Sequence, residues 1–108
     1  MLSPGVRRLL RERADGMCEV CGLEQATNAH HRKNRSQRGQ DDLSNLMLVC
    51  GSGTTKCHGW ITEHPADSYI NGWSVRSTGN PARTPVLYRG SWVVLDDLGN
   101  LESVEEIA

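Results

Sequence analysis

A small α+β domain built around a four-cysteine metal site is what this sequence predicts, and three observations predict it. The chain has 108 residues, enough for one core but with little stability in reserve. Its four cysteines fall into two clusters, Cys18 with Cys21 and Cys50 with Cys57. Helical spacing is confined to short stretches near the start and middle, whereas the last third alternates short apolar runs with Gly, Asn and Pro turns.

Composition narrows the function. Hydrophobic residues make up 37%, Phe is absent, and three Trp and two Tyr supply the large apolar groups, so the core is expected to be thin and a structural metal would support it. No apolar stretch approaches the roughly 18 to 20 residues of a membrane span. Arginines stand at positions 7 and 8, where a secretory signal would have its apolar region. A cytoplasmic protein is expected, and in that reducing compartment the cysteines read as metal ligands and not as two disulfides. The net charge of −1 hides an asymmetry: residues 1–58 carry nine Lys/Arg against six Asp/Glu, and residues 59–108 carry three against seven. Any phosphate-binding surface therefore belongs to the N-terminal half.

The elements follow in order. Ser3-Pro4 reads as an N-cap with proline at the first helical position, and Val6, Leu9, Leu10 and Arg13 keep helical spacing up to Asp15-Gly16. Arg7, Arg8, Arg11 and Arg13 are expected on its solvated side. Ala29-His30-His31 reads as a strand before a basic, glycine-containing loop over residues 32–40, and Leu46-Met47-Leu48-Val49 as the return strand of a hairpin ending at Cys50. A flexible turn at 51–55 leads to a short helix that must stop near His64, because Pro65 disfavours αR geometry there. A second short helix starts at Pro65 and ends near Asn71, with Gly72 as its C′ residue. Residues 73–76, 85–88 and 91–95 read as β, and the acidic end over 102–106 is expected to fray. The whole chain is read as one domain, with a core at 17–65 and an extension at 66–108 made of a short helix and a β-hairpin.

Cys18-Glu19-Val20-Cys21 is the spacing with which one tight knuckle offers two thiolates to a tetrahedral zinc. Cys50 and Cys57 are its partner pair, and Gly51 and Gly53 make the six-residue loop between them able to fold back. A redox motif of thioredoxin type would begin a helix after a buried strand in a βαβ unit, and no such unit is present. The histidines cluster as well: His30 and His31 are adjacent, His58 follows the fourth cysteine, and His64 lies one short helix later. Adjacent residues on a strand point to opposite faces, so one of the pair can face a metal while the other is free to act as a base.

Ala29-His30-His31-Arg32, then Ser44-Asn45-Leu46, then Cys50 with Cys57-His58, together resemble the HNH endonuclease family, and with Cys18 and Cys21 the arrangement looks like its zinc-containing branch. The resemblance spans about residues 17–65, and the stretch Gly-Ser-Gly-Thr-Thr-Lys-Cys-His-Gly-Trp is similar to phage-encoded members found beside packaging genes. It implies a ββα-metal (His-Me finger) core in which His30 binds a catalytic divalent ion (Mg2+, Mn2+, Ni2+ or Zn2+), His31 is the general base, Asn45 braces the loop that orients His31, and His58 is the second protein ligand. Relatives usually carry a further ligand four residues on, where this chain has Thr62. The resemblance thus implies a two-histidine site, with His64 as the candidate third ligand.

A neutral imidazole can take a proton from water near neutral pH, and a Lewis acid stabilises charge on the phosphate and leaving 3′ oxygen. Arg32, Lys33, Arg35 and Arg38 lie on the loop between base and asparagine, where they could grip phosphates. The expected activity is therefore hydrolysis of DNA, in a bacterial cytoplasm and beside packaging (terminase) proteins if the protein is phage-encoded. A non-catalytic zinc module that binds DNA or protein is the alternative. A zinc peptidase is disfavoured, since no H-E-x-x-H helix is present.

Overall fold

Helix α1 (Pro4–Ala14) starts where Ser3 Oγ accepts the Val6 N–H at 3.2 Å, which satisfies one of the free donors of the first turn. It stops at Asp15, whose φ of 54° is left-handed. The computed structural model describes residues 2–104. After α1 come β1 (Asn28–His31), β2 (Leu46–Val49), α2 (Lys56–Glu63), α3 (Pro65–Ile70), β3 (Val86–Tyr88), β4 (Ser91–Leu95) and β5 (Leu101–Ser103).

β1 and β2 pair antiparallel with His30 opposite Met47 and His31 opposite Leu46, and β3, β4 and β5 form a separate antiparallel sheet. Hairpin plus α2 is the ββα core the sequence predicts. Among the described residues, no helix is long and apolar enough to cross a membrane. Gly51 has φ of 87°, and a Cβ there would lie 2.2 Å from the Thr55 carbonyl oxygen, whereas a Cβ on Gly53 would meet open space. Of the two glycines in the cysteine loop, only Gly51 is demanded by the turn.

Two apolar clusters hold these pieces. Leu10 packs with Leu43 and Leu46, which docks α1 on the hairpin. The larger cluster joins Cys18, Met47, Val49, Cys50 and Ile61 to Trp73, Val86, Tyr88, Val93 and Leu95, so the C-terminal sheet packs directly on the cysteine knuckle. Arg89 adds polar ties, its guanidinium donating to the carbonyls of Ala14, Met17 and Cys18 at 2.6 to 3.0 Å.

Three local expectations are corrected. Residues 73–76 are not a strand: Ser74 N–H bonds to Ser68, Val75 N–H to Arg32, and the Trp73 carbonyl to the His30 ring, so each backbone group goes to a different element. The acidic end over 102–106 is not frayed at its start, because Glu102 and Ser103 of β5 pair with Val94 and Val93 of β4; residues 105–106 lie outside the described residues. Arg13 is not on the solvated side of α1. It is buried against Glu19, donating Nε at 2.8 Å and Nη2 at 2.9 Å, with its remaining donors on the Leu43 and Leu46 carbonyls. Glu19 in turn accepts the Leu48 N–H at 2.8 Å. Arg13 falls on the same helical stripe as Val6, Leu9 and Leu10, the face that packs inward, and the carboxylate that makes its burial tolerable comes from the knuckle.

Candidate metal and catalytic centres

Cys18 and Cys21 sit on the turn after α1, Cys50 ends β2 and Cys57 lies in the first turn of α2. Their sulfurs all lie within 4.8 Å of one another, and Cys21 Sγ is 3.9 Å from Cys50 Sγ. Zinc–sulfur bonds of about 2.3 Å in a tetrahedron place neighbouring sulfurs about 3.8 Å apart, so the four thiols fit one zinc ion. The N–H groups of Cys21 and Leu23 approach Cys18 Sγ and Cys21 Sγ at 3.5 Å each, which favours thiolates. Burial opposes ionisation of Cys21, but the Leu23 N–H, the Cys18 thiol and the Glu24 N–H outweigh it and bring this thiol down to about 7. Burial raises Cys50 and, together with Cys50 itself, raises Cys57. Thiols held this close need a cation to ionise together.

The second centre lies across β1. His30 Nε2 is 2.7 Å from the Trp73 carbonyl; a carbonyl only accepts, so Nε2 carries the proton and Nδ1 keeps its lone pair. Burial pulls His30 down to about 4, with His58 and His31 adding repulsion, so the ring is neutral at neutral pH. His58 is lowered by burial too. Its Nδ1 is buried with no hydrogen-bond partner among the described residues, an atom that a metal ion would satisfy. The two ring centroids are 5.6 Å apart. A nitrogen–metal bond of about 2.1 Å puts an imidazole centroid about 3.2 Å from the ion, so these rings can share one ion.

His31 leaves β1 on the other side, and its Nε2 is 2.8 Å from Asp41 Oδ1. The hydrogen bond from His31 and then the Arg35 guanidinium hold the Asp41 carboxyl below the usual carboxylate range, which keeps it an acceptor and assigns the His31 proton to Nε2. Asp41 was not singled out in the sequence; a lone carboxylate ten residues along a loop carries no signal of its own. Asn45 is buried, accepts the Lys33 N–H at 2.8 Å and donates to the carbonyls of Lys33 and Gln40 at 2.9 and 2.8 Å. These bonds close the loop that carries Asp41.

His30, His31, His58 and Thr62 line one groove. The Thr62 hydroxyl donates to the His58 carbonyl at 3.1 Å. His64 is not brought to this groove: its Nδ1 bonds to the Trp60 carbonyl at 2.9 Å and its ring stacks on Trp60 at 4.2 Å.

Arg32 requires a correction as a DNA-contacting residue. It is 2% exposed, and its guanidinium donates to the carbonyls of Gly72, Ser44, Pro81 and Thr84 at 2.8 to 2.9 Å. Burial and then Arg13 pull it down to about 10, which leaves it charged. Strand alternation turns Arg32 inward, where it joins the hairpin loop to residues 72–84. Arg32→Met is therefore expected to cost about 3 to 5 kcal/mol, as for a buried charge network broken on one side, and to lower Tm by more than about 10 °C. A surface phosphate contact would instead leave the melting curve in place. Lys33 is half-buried and donates to the Gly79 carbonyl at 3.0 Å, while Arg35 and Arg38 are exposed.

No curated protein and no solved structure gave a match. Residues 18–61 match the family model described as HNH endonuclease, and that stretch holds all four clustered cysteines together with His30, His31, Asn45 and His58.

Proposed function

We propose that the protein is a metal-dependent endonuclease that hydrolyses DNA phosphodiester bonds in the groove shared by His30, His31 and His58. The observation that carries this reading is the orphaned, buried Nδ1 of His58 on a ring 5.6 Å from that of His30, one strand residue away from an imidazole held by a carboxylate. His30 and His58 would hold a divalent ion, which when bound would supply Lewis-acid stabilisation of charge on the phosphate oxygens. Asp41 fixes the His31 proton on Nε2, which leaves Nδ1 as the acceptor. Nδ1 takes a proton from the water that attacks phosphorus, and the resulting imidazolium is stabilised by Asp41. The cleaved strand leaves as a 3′ oxyanion that solvent protonates. Asn45 positions the loop, and Arg35 and Arg38 hold phosphates beside the scissile bond. The likeness of residues 51–60 to phage-encoded members supports a phage setting beside packaging proteins.

Plasmid nicking by clean protein across Mg2+, Mn2+, Ni2+ and Zn2+, with His31→Ala as control, tests the reading. Absence of nicking with all four ions would leave the non-catalytic zinc module. Asp41→Asn separates the role of the carboxylate: nicking is expected to fall about 10- to 100-fold, as for other residues that orient a functional histidine, with unchanged Tm and zinc content. Normal turnover by Asp41→Asn would mean that the bond to His31 is incidental.

A further inference from the structure

The loop arginines are too few to hold a duplex once Arg32 is buried, and the surface around His31 offers replacements. The groove between α1 and the hairpin, about 410 Å³, is lined by Arg7, Arg11, Arg35 and His31 and by no carboxylate. Asp41, beside Arg35, is already bonded to His31 and Arg35. Arg35 is 56% exposed, and its Nε and Nη1 make no hydrogen bond among the described residues. Arg7 and Arg11 are exposed one turn apart on the same edge of α1. Arg8 is turned about 100° away and lines only the outer face of the helix, a face that Arg7 and Arg11 also border together with Glu12 and Asp15.

His31 also lines the catalytic groove, so the two depressions meet at the base. On the opposite flank the catalytic groove shares Tyr69 and Ser74 with a third depression that holds Arg76. The Arg76 guanidinium sits 4.3 Å from the Tyr69 ring centroid, a cation–π contact that orients the side chain. The three depressions thus adjoin in series as a furrow whose first part is lined by Arg7, Arg11 and Arg35, its middle by the catalytic histidines and its last by Arg76.

We infer that this furrow is a track for the phosphodiester backbone of duplex DNA, gripped by Arg7, Arg11 and Arg35 on the α1 side of His31 and by Arg76 on the far side. The inference rests on the proposed nuclease reading for the identity of the substrate, but binding is measurable without cleavage. The molecule is 37 Å long, so one face spans roughly ten base pairs at 3.4 Å each.

The test is fluorescence anisotropy of a labelled duplex of about 16 base pairs with the zinc-loaded full chain carrying His31→Ala, from low to high NaCl. The four contacts of the track together with that of Arg38 give a slope of log K against log salt of about −4.5. Each of Arg7→Ala, Arg11→Ala, Arg35→Ala and Arg76→Ala is expected to weaken binding about 5- to 10-fold near 0.1 M salt and to flatten the slope by about 0.9. Arg7→Lys is expected to recover most of the loss. Arg8→Ala has the same charge change and is expected to cost less than about 2-fold. Equal losses for Arg8→Ala and Arg11→Ala would reduce the effect to net charge and overturn the track, as would wild-type binding by Arg76→Ala. Nicking is scored separately, in the chain with His31 intact. The predicted binding pattern without nicking sinks the nuclease reading and keeps the track, whereas nicking with unaffected arginine variants does the reverse.

Discussion

Cys50→Ser is expected to leave the protein largely unfolded and free of zinc. Structural zinc contributes about 10 to 16 kcal/mol in small domains, against a total stability of about 5 to 15 kcal/mol for a typical domain. The loss is also not confined to the knuckle. Cys18 and Cys50 are buried in the same cluster as Trp73, Tyr88 and Leu95, and the Cys18 carbonyl is a partner of Arg89 at the β3–β4 turn. The C-terminal sheet should therefore melt with the zinc site in one transition. Circular dichroism and elemental analysis of Cys50→Ser, Cys21→Ser and the chelator-treated parent check this. A folded, zinc-free parent chain would end the claim, and a C-terminal sheet that survives chelation would show that the two parts fold independently.

His31→Ala is expected to lower nicking by about 10² to 10⁴, the usual worth of a positioned general base, with zinc content and Tm close to the parent. His31 is partly exposed, and among the described residues its side chain bonds only to the surface residue Asp41. Binding of the catalytic ion should also persist, because His31 makes no metal bond in this assignment. His30→Ala and His58→Ala should lose activity together with affinity for that ion. His64→Ala should keep both, since its ring is stacked on Trp60 outside the groove. Titration of the four variants with Mn2+, read by nicking rate and by calorimetry, separates these outcomes. Identical metal-binding defects in His30→Ala and His31→Ala would reverse the assignment of the pair, and a His64→Ala defect equal to that of His58→Ala would require a third ligand.

The sequence by itself determined the features that depend on residues near one another in the chain. Ser3-Pro4 started α1, Pro65 separated α2 from α3, and Gly72 ended α3 with φ of 76°, because caps, proline and left-handed glycine act within one turn. The C-x-x-C pair was legible for a related reason, since zinc-ligand geometry fixes short spacings, whereas His30, His31, Asn45 and His58 were singled out by the resemblance to a family. Tertiary structure alone decided what each charged or polar group touches. Arg13 and Arg32 share a residue type with Arg11 and Arg35, and periodicity says at most which way each points, yet the first two are buried among carbonyls supplied by segments up to 52 residues away and the other two face solvent. Asp41 became the partner of His31, and the Trp73 carbonyl the partner of His30, through a loop closure and a backbone atom that no residue identity records. A guanidinium is tolerated inside only where several backbone acceptors converge on it, and that convergence is a property of the packed chain and not of any stretch of it.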